Sequence, residues 1–252
     1  MILTRIMSRL LSNKKKEFNK ICLHNGINLD FNINKDALGV FFSIFEEREY
    51  SDWFPFYKKV TIVDIGAHYG YFSIFSAINS GKGSRIIAIE PDNRNFKVLS
   101  ENIRNSKIDN ITAINCAISN TNGEAKLYIG ESVNNSLMSD YALNKPGSPI
   151  QNVAVKTLEL VMNENKIDTI DFLKMDCEGS EYSILFSAPA FVLDKINTIS
   201  MEFHDMKNAD NTGNVMAIFL AKHGFTIVKY EYAKTTMGLN YGKIIGTKLL
   251  KK

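Results

Sequence analysis

The sequence predicts an α/β protein with a seven-stranded, mostly parallel sheet, helices on both faces and an antiparallel last strand. From residue 60 onwards, seven apolar runs alternate with helical patterns, and no helix separates the last two runs. Such alternation is typical of βαβ units, whose strands run parallel. Two strands joined by a turn alone pair antiparallel, so we expect the last two at one end of the sheet.

Each element follows from a local signal. The strands are predicted at 59–64, 84–90, 110–116, 169–176, 196–203, 225–230 and 243–249. Helices are predicted at 69–79, from Pro91 to about 106, in a short segment ending near Pro189, and from about 212 to 222. Proline is tolerated in the first turn of a helix, which fits Pro91 at a helix start.

An interruption at about 119–157 separates the third and fourth strands. Asn122-Gly123 is a hairpin turn signal, and Pro146-Gly147 is a second chain breaker. We therefore expect an insertion with an added hairpin and a loop, carried by a domain that spans residues 56–252.

Residues 1–55 are expected to form an N-terminal helical leader or cap. Aromatic residues are dense between 41 and 57, and such clusters favour packing on the core over a substrate platform. Met1–Leu11 has apolar residues on a rough helical stripe, which is compatible with packing on the domain or with peripheral membrane contact. It lacks the charge order and cleavage site of a signal peptide.

Composition excludes several classes of protein. The chain is 45% hydrophobic and 23% charged, and no apolar run reaches the length of a membrane span. A net charge of +3 gives no indication of a nucleic-acid partner. Cys22, Cys116 and Cys177 lie far apart and form no CxxC, which fits a reducing cytoplasm. Nothing in the sequence indicates the oligomeric state.

The turn after the first strand predicts a cofactor site. The strand ends at Asp64 and runs through Gly66 and Gly70 into a helix, and such turns bind ligands at the carboxyl ends of strands. The spacing lacks the glycines of a dinucleotide fingerprint, and a carboxylate at Asp64 would repel a pyrophosphate. S-adenosylmethionine instead carries an ammonium and a sulfonium, which an aspartate attracts.

A second acidic residue supports this cofactor. Glu90 ends the second strand twenty residues after Gly70, where a carboxylate can accept hydrogen bonds from ribose hydroxyls. The alternative interpretation of Glu90 is an acidic residue that stabilises the N-terminus of the following helix. The alternative interpretation of His68 is an exposed surface histidine that does not contact the cofactor. The predicted cofactor-binding residues are Asp64, Gly66, Ala67, His68, Gly70, Glu90, Pro91, Cys116, Ala117 and Asp176.

Several motifs between residues 60 and 205 resemble the FkbM family of methyltransferases. They are VDIGAHYGYFS from Val63, IEPDNRNF from Ile89, Asn115–Ser119, Asn135–Leu137, Val155–Leu158 and FLKMDCEGSE from Phe172. The Lys-x-Asp-x-Glu-Gly-x-Glu pattern in the last motif is the most specific. Leu158-Glu159 departs from the Leu-Asp that is frequent in the family.

The resemblance implies a class I methyltransferase (Rossmann-like) fold and O-methylation of a hydroxyl on a sugar, polyketide or related small molecule. The expected partner is thus a small-molecule or glycan acceptor, with no nucleic acid. A nucleic-acid methyltransferase and a non-catalytic binding protein on the same fold are the alternatives. The sequence lacks the Asn/Asp-Pro-Pro-aromatic motif of base amino-methylation after the fourth strand.

Catalytic candidates follow the fourth and fifth strands. Methyl transfer from a sulfonium needs alignment of acceptor and donor, helped by a base. We expect a neutral His204 to be that base and Asp176 and Glu178 to orient cofactor and acceptor. A cation held by Glu202, His204 and Asp205 with Asp176 is the less favoured alternative, so no metal is predicted.

Overall fold

The computed structural model describes residues 20–22, 28–30, 35–130, 135–137, 149–206, 209–234 and 240–249. Its elements in chain order are β1 (Lys20–Cys22), β2 (Asn28–Asp30), α1 (Lys35–Phe45), β3 (Thr61–Ile65), α2 (Tyr71–Asn79), β4 (Arg85–Ile89), α3 (Asn93–Ser106), β5 (Ile111–Ile114), β6 (Ala117–Ile118), β7 (Gly123–Tyr128), β8 (Ile150–Lys156), α4 (Leu158–Glu164), β9 (Ile170–Met175), α5 (Glu181–Ser187), α6 (Ala190–Asp194), β10 (Ile196–His204), α7 (Gly213–Lys222), β11 (Thr226–Lys234) and β12 (Asn240–Thr247).

The main sheet confirms the predicted architecture. Its seven strands lie in the order β11-β12-β10-β9-β3-β4-β5. The neighbours β10–β9, β9–β3, β3–β4 and β4–β5 are parallel, whereas β12 is antiparallel to both β10 and β11. The third strand is shorter than predicted and ends at Ile114. The chain leaves the sheet there, and the Asn115 side chain donates to the Glu90 carbonyl at 2.9 Å.

Alternate residues of each strand enter two separate apolar clusters, one on each face of the sheet. Ile62, Ile86 and Phe172 pack with α1 and α2. Their neighbours Val63 and Ile87 pack on the other face with α4, α5, α6 and α7. Burial on both faces explains why these strands read as continuous apolar runs in the sequence.

The insertion folds as a small second sheet in the order β6-β8-β7. β7 and β8 pair antiparallel, as a hairpin would, but residues 129–149 separate them along the chain. The Asn122-Gly123 turn instead joins β6 to β7, which do not pair because β8 lies between them. The helix α4 was not predicted. It begins after Thr157, whose side chain accepts from the Leu160 amide.

The N-terminal region contains more than helix. β1 and β2 form a two-stranded antiparallel pair, and α1 follows. Phe41 and Phe54 are buried in a network of ring contacts that reaches Phe72 and Phe172. The segment Met1–Leu11 lies outside the described residues. Within the described ranges, every helix is too short or too polar to cross a membrane.

Candidate active site at the carboxyl ends of the strands

A cavity of about 350 Å³ opens at the carboxyl ends of the central strands. The chain proceeds from β3 to β4 on one side, while β9 flanks β3 on the other. Ligands of open α/β sheets bind at such a switch in strand order. The predicted cofactor residues that line the cavity are Gly66, Ala67, His68, Glu90, Pro91, Cys116, Ala117 and Asp176.

The turn between β3 and α2 needs glycine at two positions. Gly66 has φ 77°, and a Cβ there would lie 1.9 Å from the Asp176 carbonyl oxygen. Gly70 has φ 81°, and a Cβ there would lie 2.4 Å from Leu99 Cδ1 in α3. Gly66 thus brings the ends of β3 and β9 together, whereas Gly70 packs against a helix and does not line the cavity.

Asp64 is fully buried beneath the turn and does not line the cavity either. Its Oδ1 lies 3.2 Å from Lys174 Nζ, and its Oδ2 accepts from Ser73 Oγ at 2.6 Å. Lys174 Nζ also donates to the Gly66 carbonyl at 2.8 Å. The structure therefore places the predicted cofactor contact Asp64 in a buried ion pair that supports the turn.

Glu90 lies at the end of β4 with both carboxyl oxygens near the turn. Its Oε2 accepts from the His68 amide at 2.8 Å, and its Oε1 accepts from the Asp92 amide at 2.9 Å. Burial raises the pKa of Glu90 to about 7, against the effect of these hydrogen bonds. Its Oε1 also accepts from Asn95 Nδ2 at 3.4 Å. A carboxylate has about four acceptor positions, so one remains for a donor from a ligand.

The opposite wall near β5 and β6 is apolar. Cys116 and Ala117 are buried, and Ile118, Leu127 and Leu137 extend the surface they form. Burial raises the pKa of Cys116 to about 11, so its thiol stays protonated and behaves as an apolar group. Such a wall suits a flat heterocyclic ring.

His68 is neutral. Burial and the nearby charge of Lys174 lower its pKa to about 4. Its ring stacks on Tyr69 with centroids 3.9 Å apart, and Nδ1 has no hydrogen-bond partner among the described residues. The turn holds this non-glycine residue at φ 51°.

Asp176 lies at the other end of the cavity, after β9. Its Oδ2 accepts from the Tyr50 hydroxyl at 3.1 Å. Burial raises the pKa of Tyr50 well above its usual value, so the hydroxyl remains a donor. The Tyr50 ring lies 5.3 Å from Lys174 Nζ and 5.2 Å from Lys243 Nζ. Tyr50 and Lys174 also line the cavity, although neither was predicted as a site residue. Lys174 belongs to the family-like motif, whereas the only sequence signal for Tyr50 is the density of aromatic residues around it.

His204, at the end of β10, is surrounded by carboxylates. Its Nδ1 lies 3.3 Å from Glu181 Oε1, and its Nε2 lies 3.4 Å from Glu178 Oε2 and 3.2 Å from Glu202 Oε1. Burial lowers the pKa of His204, but hydrogen bonds to Glu181 and Glu202 outweigh it and raise the pKa well above 6.5. The prediction of a neutral imidazole is therefore wrong, since the surrounding anions favour the charged form. Glu178 and Glu202 line the cavity, whereas His204 does not.

Asn135–Leu137 connects the two ends of the cavity. Asn135 Nδ2 donates to Asp92 Oδ2 at 2.9 Å, next to Glu90. Ser136 Oγ donates to the Glu178 carbonyl at 2.6 Å. These residues belong to one of the family-like motifs but were not among the predicted site residues. Asp205, another sequence candidate, instead accepts from the Gly213 amide at the start of α7 at 2.8 Å.

Comparison with known proteins identifies the family. The family model for the methyltransferase FkbM domain matches residues 64–227. No curated protein sequence matches the chain. The methyltransferase FkbM from Methylobacillus flagellatus KT is 16% identical with a TM-score of 0.50, over 81% of this chain and 47% of that one.

Two further solved structures share the fold. M. capricolum TrmK, solved with S-adenosylhomocysteine, is 14% identical with a TM-score of 0.50, over 81% of this chain and 68% of that one. The N-terminal domain of EvdMO1, solved with S-adenosylhomocysteine and D-fucose, is 12% identical with a TM-score of 0.50, over 98% and 97%. The fold is that of class I methyltransferases, and the chain belongs to the FkbM methyltransferase family, with S-adenosylmethionine as its methyl donor.

Proposed function

We propose that this methyltransferase acts on a hydroxyl oxygen of a sugar, a glycan or another hydroxyl-rich small molecule. The observation that carries the proposal is the group of carboxylates at one end of the cavity: Glu49, Asp176, Glu178 and Glu202. Carboxylates accept hydrogen bonds from hydroxyl groups and repel phosphates. This end therefore suits a neutral polyol better than a nucleic acid.

The remaining cavity residues fit S-adenosylmethionine. In this proposal Glu90 accepts from a ribose hydroxyl, and the apolar wall at Cys116 and Ala117 contacts adenine, which is supported by the position of these residues in the cavity lining. The turn from Gly66 to His68 with Pro91 forms the floor between them. Asp176 supplies negative charge for the ammonium and sulfonium at the junction with the acceptor end.

The methyl donor supplies an electrophilic methyl group, and the protein's task is alignment and proton removal. Asp176 and Glu178 orient the acceptor, and a carboxylate of the same group takes the hydroxyl proton. His204 contacts Glu178 and Glu202 and lies behind them. We therefore assign His204 a positioning role in place of the base expected from sequence.

A labelling experiment tests this function. The full chain is incubated with methyl-labelled S-adenosylmethionine and, separately, with methyl glycosides of common hexoses and with total tRNA. We expect label in a glycoside and none in tRNA, and the product should resist alkali because it is an ether. Glu202→Gln should lower transfer by about 10²-fold or more, while the exposed Glu124→Gln should not.

Label in tRNA would contradict the proposed acceptor. Alkali-labile label would show that a carboxylate, and not a hydroxyl, is methylated. Calorimetry with S-adenosylhomocysteine, run in parallel, separates loss of the cofactor site from loss of acceptor chemistry.

A further inference from the structure

Three metal-ligating side chains converge at the acceptor end of the cavity. Asp176, Glu178 and His204 each offer one ligand atom, and these three atoms lie within 4.8 Å of one another. Two of the side chains come from the segment after β9 and the third from the end of β10. Parallel neighbouring strands thus bring together groups that are far apart in the sequence.

The imidazole is oriented as in a metal site. His204 Nδ1 faces Glu181 Oε1 at 3.3 Å, which leaves Nε2 on the side of Glu178 and Glu202, two residues that line the cavity. Histidines that bind metals direct their other ring nitrogen to a carboxylate in this way. Glu181 is itself held by the amides of Cys177 and Gly179, at 3.1 and 3.3 Å. The ring orientation is therefore built into the start of α5.

Among the residues that the structure describes, carboxylates outnumber basic side chains around His204. Four carboxylates surround His204 or adjoin it: Asp176, Glu178, Glu181 and Glu202. Lys174 Nζ is 4.0 Å from Asp176 Oδ2 but closer to Asp64. Glu181 is fully buried, and its Oε2 has no hydrogen-bond partner among the described residues. A buried carboxylate oxygen that lacks a partner, as Glu181 Oε2 does, favours a positively charged ligand nearby, because a desolvated anion is otherwise costly.

We propose that Asp176, Glu178 and His204 bind one divalent cation of the Mg²⁺ or Mn²⁺ class. The cation takes the place of the proton on His204 Nε2, which is released to solvent, because only the neutral imidazole binds a metal. Carboxylate oxygens with a single imidazole suit such hard cations, and no thiol is among the ligands. The cation sits where acceptor hydroxyls are expected, so it orients them for methyl transfer. Cation binding does not depend on the proposed function, whereas the role of the cation in orienting acceptor hydroxyls rests on it.

Mn²⁺ alone is the probe. The full chain is treated with a chelator, dialysed and titrated with Mn²⁺ while free Mn²⁺ is followed by electron paramagnetic resonance. We expect one bound Mn²⁺ per chain, displaced by excess Mg²⁺. Glu178→Gln and His204→Gln should each weaken binding by more than tenfold, and Glu181→Gln by about tenfold, because it orients a ligand. The exposed Glu164→Gln should bind as the unchanged chain does.

Calorimetry with S-adenosylhomocysteine on each variant reports whether the cofactor site is intact. Glu178→Gln keeps the test valid even if substitution of the buried His204 disturbs folding. Absence of stoichiometric binding, equal binding by Glu178→Gln, or full displacement of Mn²⁺ by S-adenosylhomocysteine would each overturn the cation site. Methyl transfer to a glycoside that persists in chelator would remove the orienting role and leave the proposed function standing. Label in tRNA together with Mn²⁺ bound at the site would contradict the proposed function and leave the cation site standing.

Discussion

Lys174 Nζ lies 3.2 Å from Asp64 Oδ1, and neither side chain is more than 5% exposed. The pair joins β3 to β9 beneath the turn that lines the cavity. Coulomb attraction in the interior offsets the cost of desolvating two charges, so loss of one partner leaves the other without compensation. This pair explains why a buried lysine lies near the end of β9, between Leu173 and Met175.

Lys174→Met is expected to destabilise the chain by about 3–5 kcal/mol, because it leaves the Asp64 carboxylate buried and unpaired. Chemical denaturation measures the difference. Lys156→Met is the matched control, since Lys156 pairs with Glu164 at the surface and should cost about 1 kcal/mol or less. In a double-mutant cycle with Asp64→Asn, the two losses should not add. Equal stability of the two lysine variants would contradict the prediction.

Gly66→Ala is expected to destabilise the chain by about 2 kcal/mol or more. The left-handed φ of 77° is costly for alanine, and the added Cβ would clash with the Asp176 carbonyl. The melting temperature should fall by several degrees. Gly39→Ala in α1 is the control: its Cβ meets nothing within 4 Å, so the melting temperature should stay or rise slightly. Equal melting temperatures for Gly66→Ala and the unchanged chain would show that the turn can relax.

Affinity for S-adenosylhomocysteine is expected to depend on pH through Glu90. The pKa of Glu90 is about 7, and ribose hydroxyls donate best to the ionised carboxylate. Binding should therefore weaken as pH falls below about 7, approaching tenfold per pH unit, and level off above it. Calorimetry at pH 7 in buffers of different ionisation enthalpy should show release of about half a proton.

Glu90→Gln is the control for this pH dependence. It retains the side-chain shape and removes the titration, so its affinity should be lower at pH 8 and flat between pH 6 and 8. A slope that persists in Glu90→Gln would assign the titration to another group.

Ser136→Ala is expected to cost about 1–3 kcal/mol, because Ser136 is buried and its hydroxyl donates to the Glu178 carbonyl. Thermal unfolding measures the change. Ser187→Ala removes a comparable 2.6 Å bond from an exposed helix position and should change stability by no more than about 0.5 kcal/mol. If both variants unfold alike, the Asn135–Leu137 segment does not brace the cavity.

Glu90 and Asp64 show which features of the site can be predicted from local sequence patterns. Glu90 follows a strand and precedes a helix, so its place at the cavity could be predicted from the order of elements. Asp64 has the same kind of position at the end of β3, yet it turns inward to Lys174. The difference depends on the residue in the neighbouring strand β9, which is more than a hundred residues away. No local pattern contains that pairing.

The sequence by itself determined the seven strands, their alternation with helices and the glycine turn, because periodicity and backbone conformation are local properties. The tertiary structure decided which carboxylates meet. It placed Tyr50 against Asp176 and enclosed His204 between Glu178, Glu181 and Glu202. These carboxylates favour the charged imidazole over the neutral form expected from the sequence. Electrostatic environment depends on distances across the fold, and these are set only when the strands and the N-terminal segment pack together.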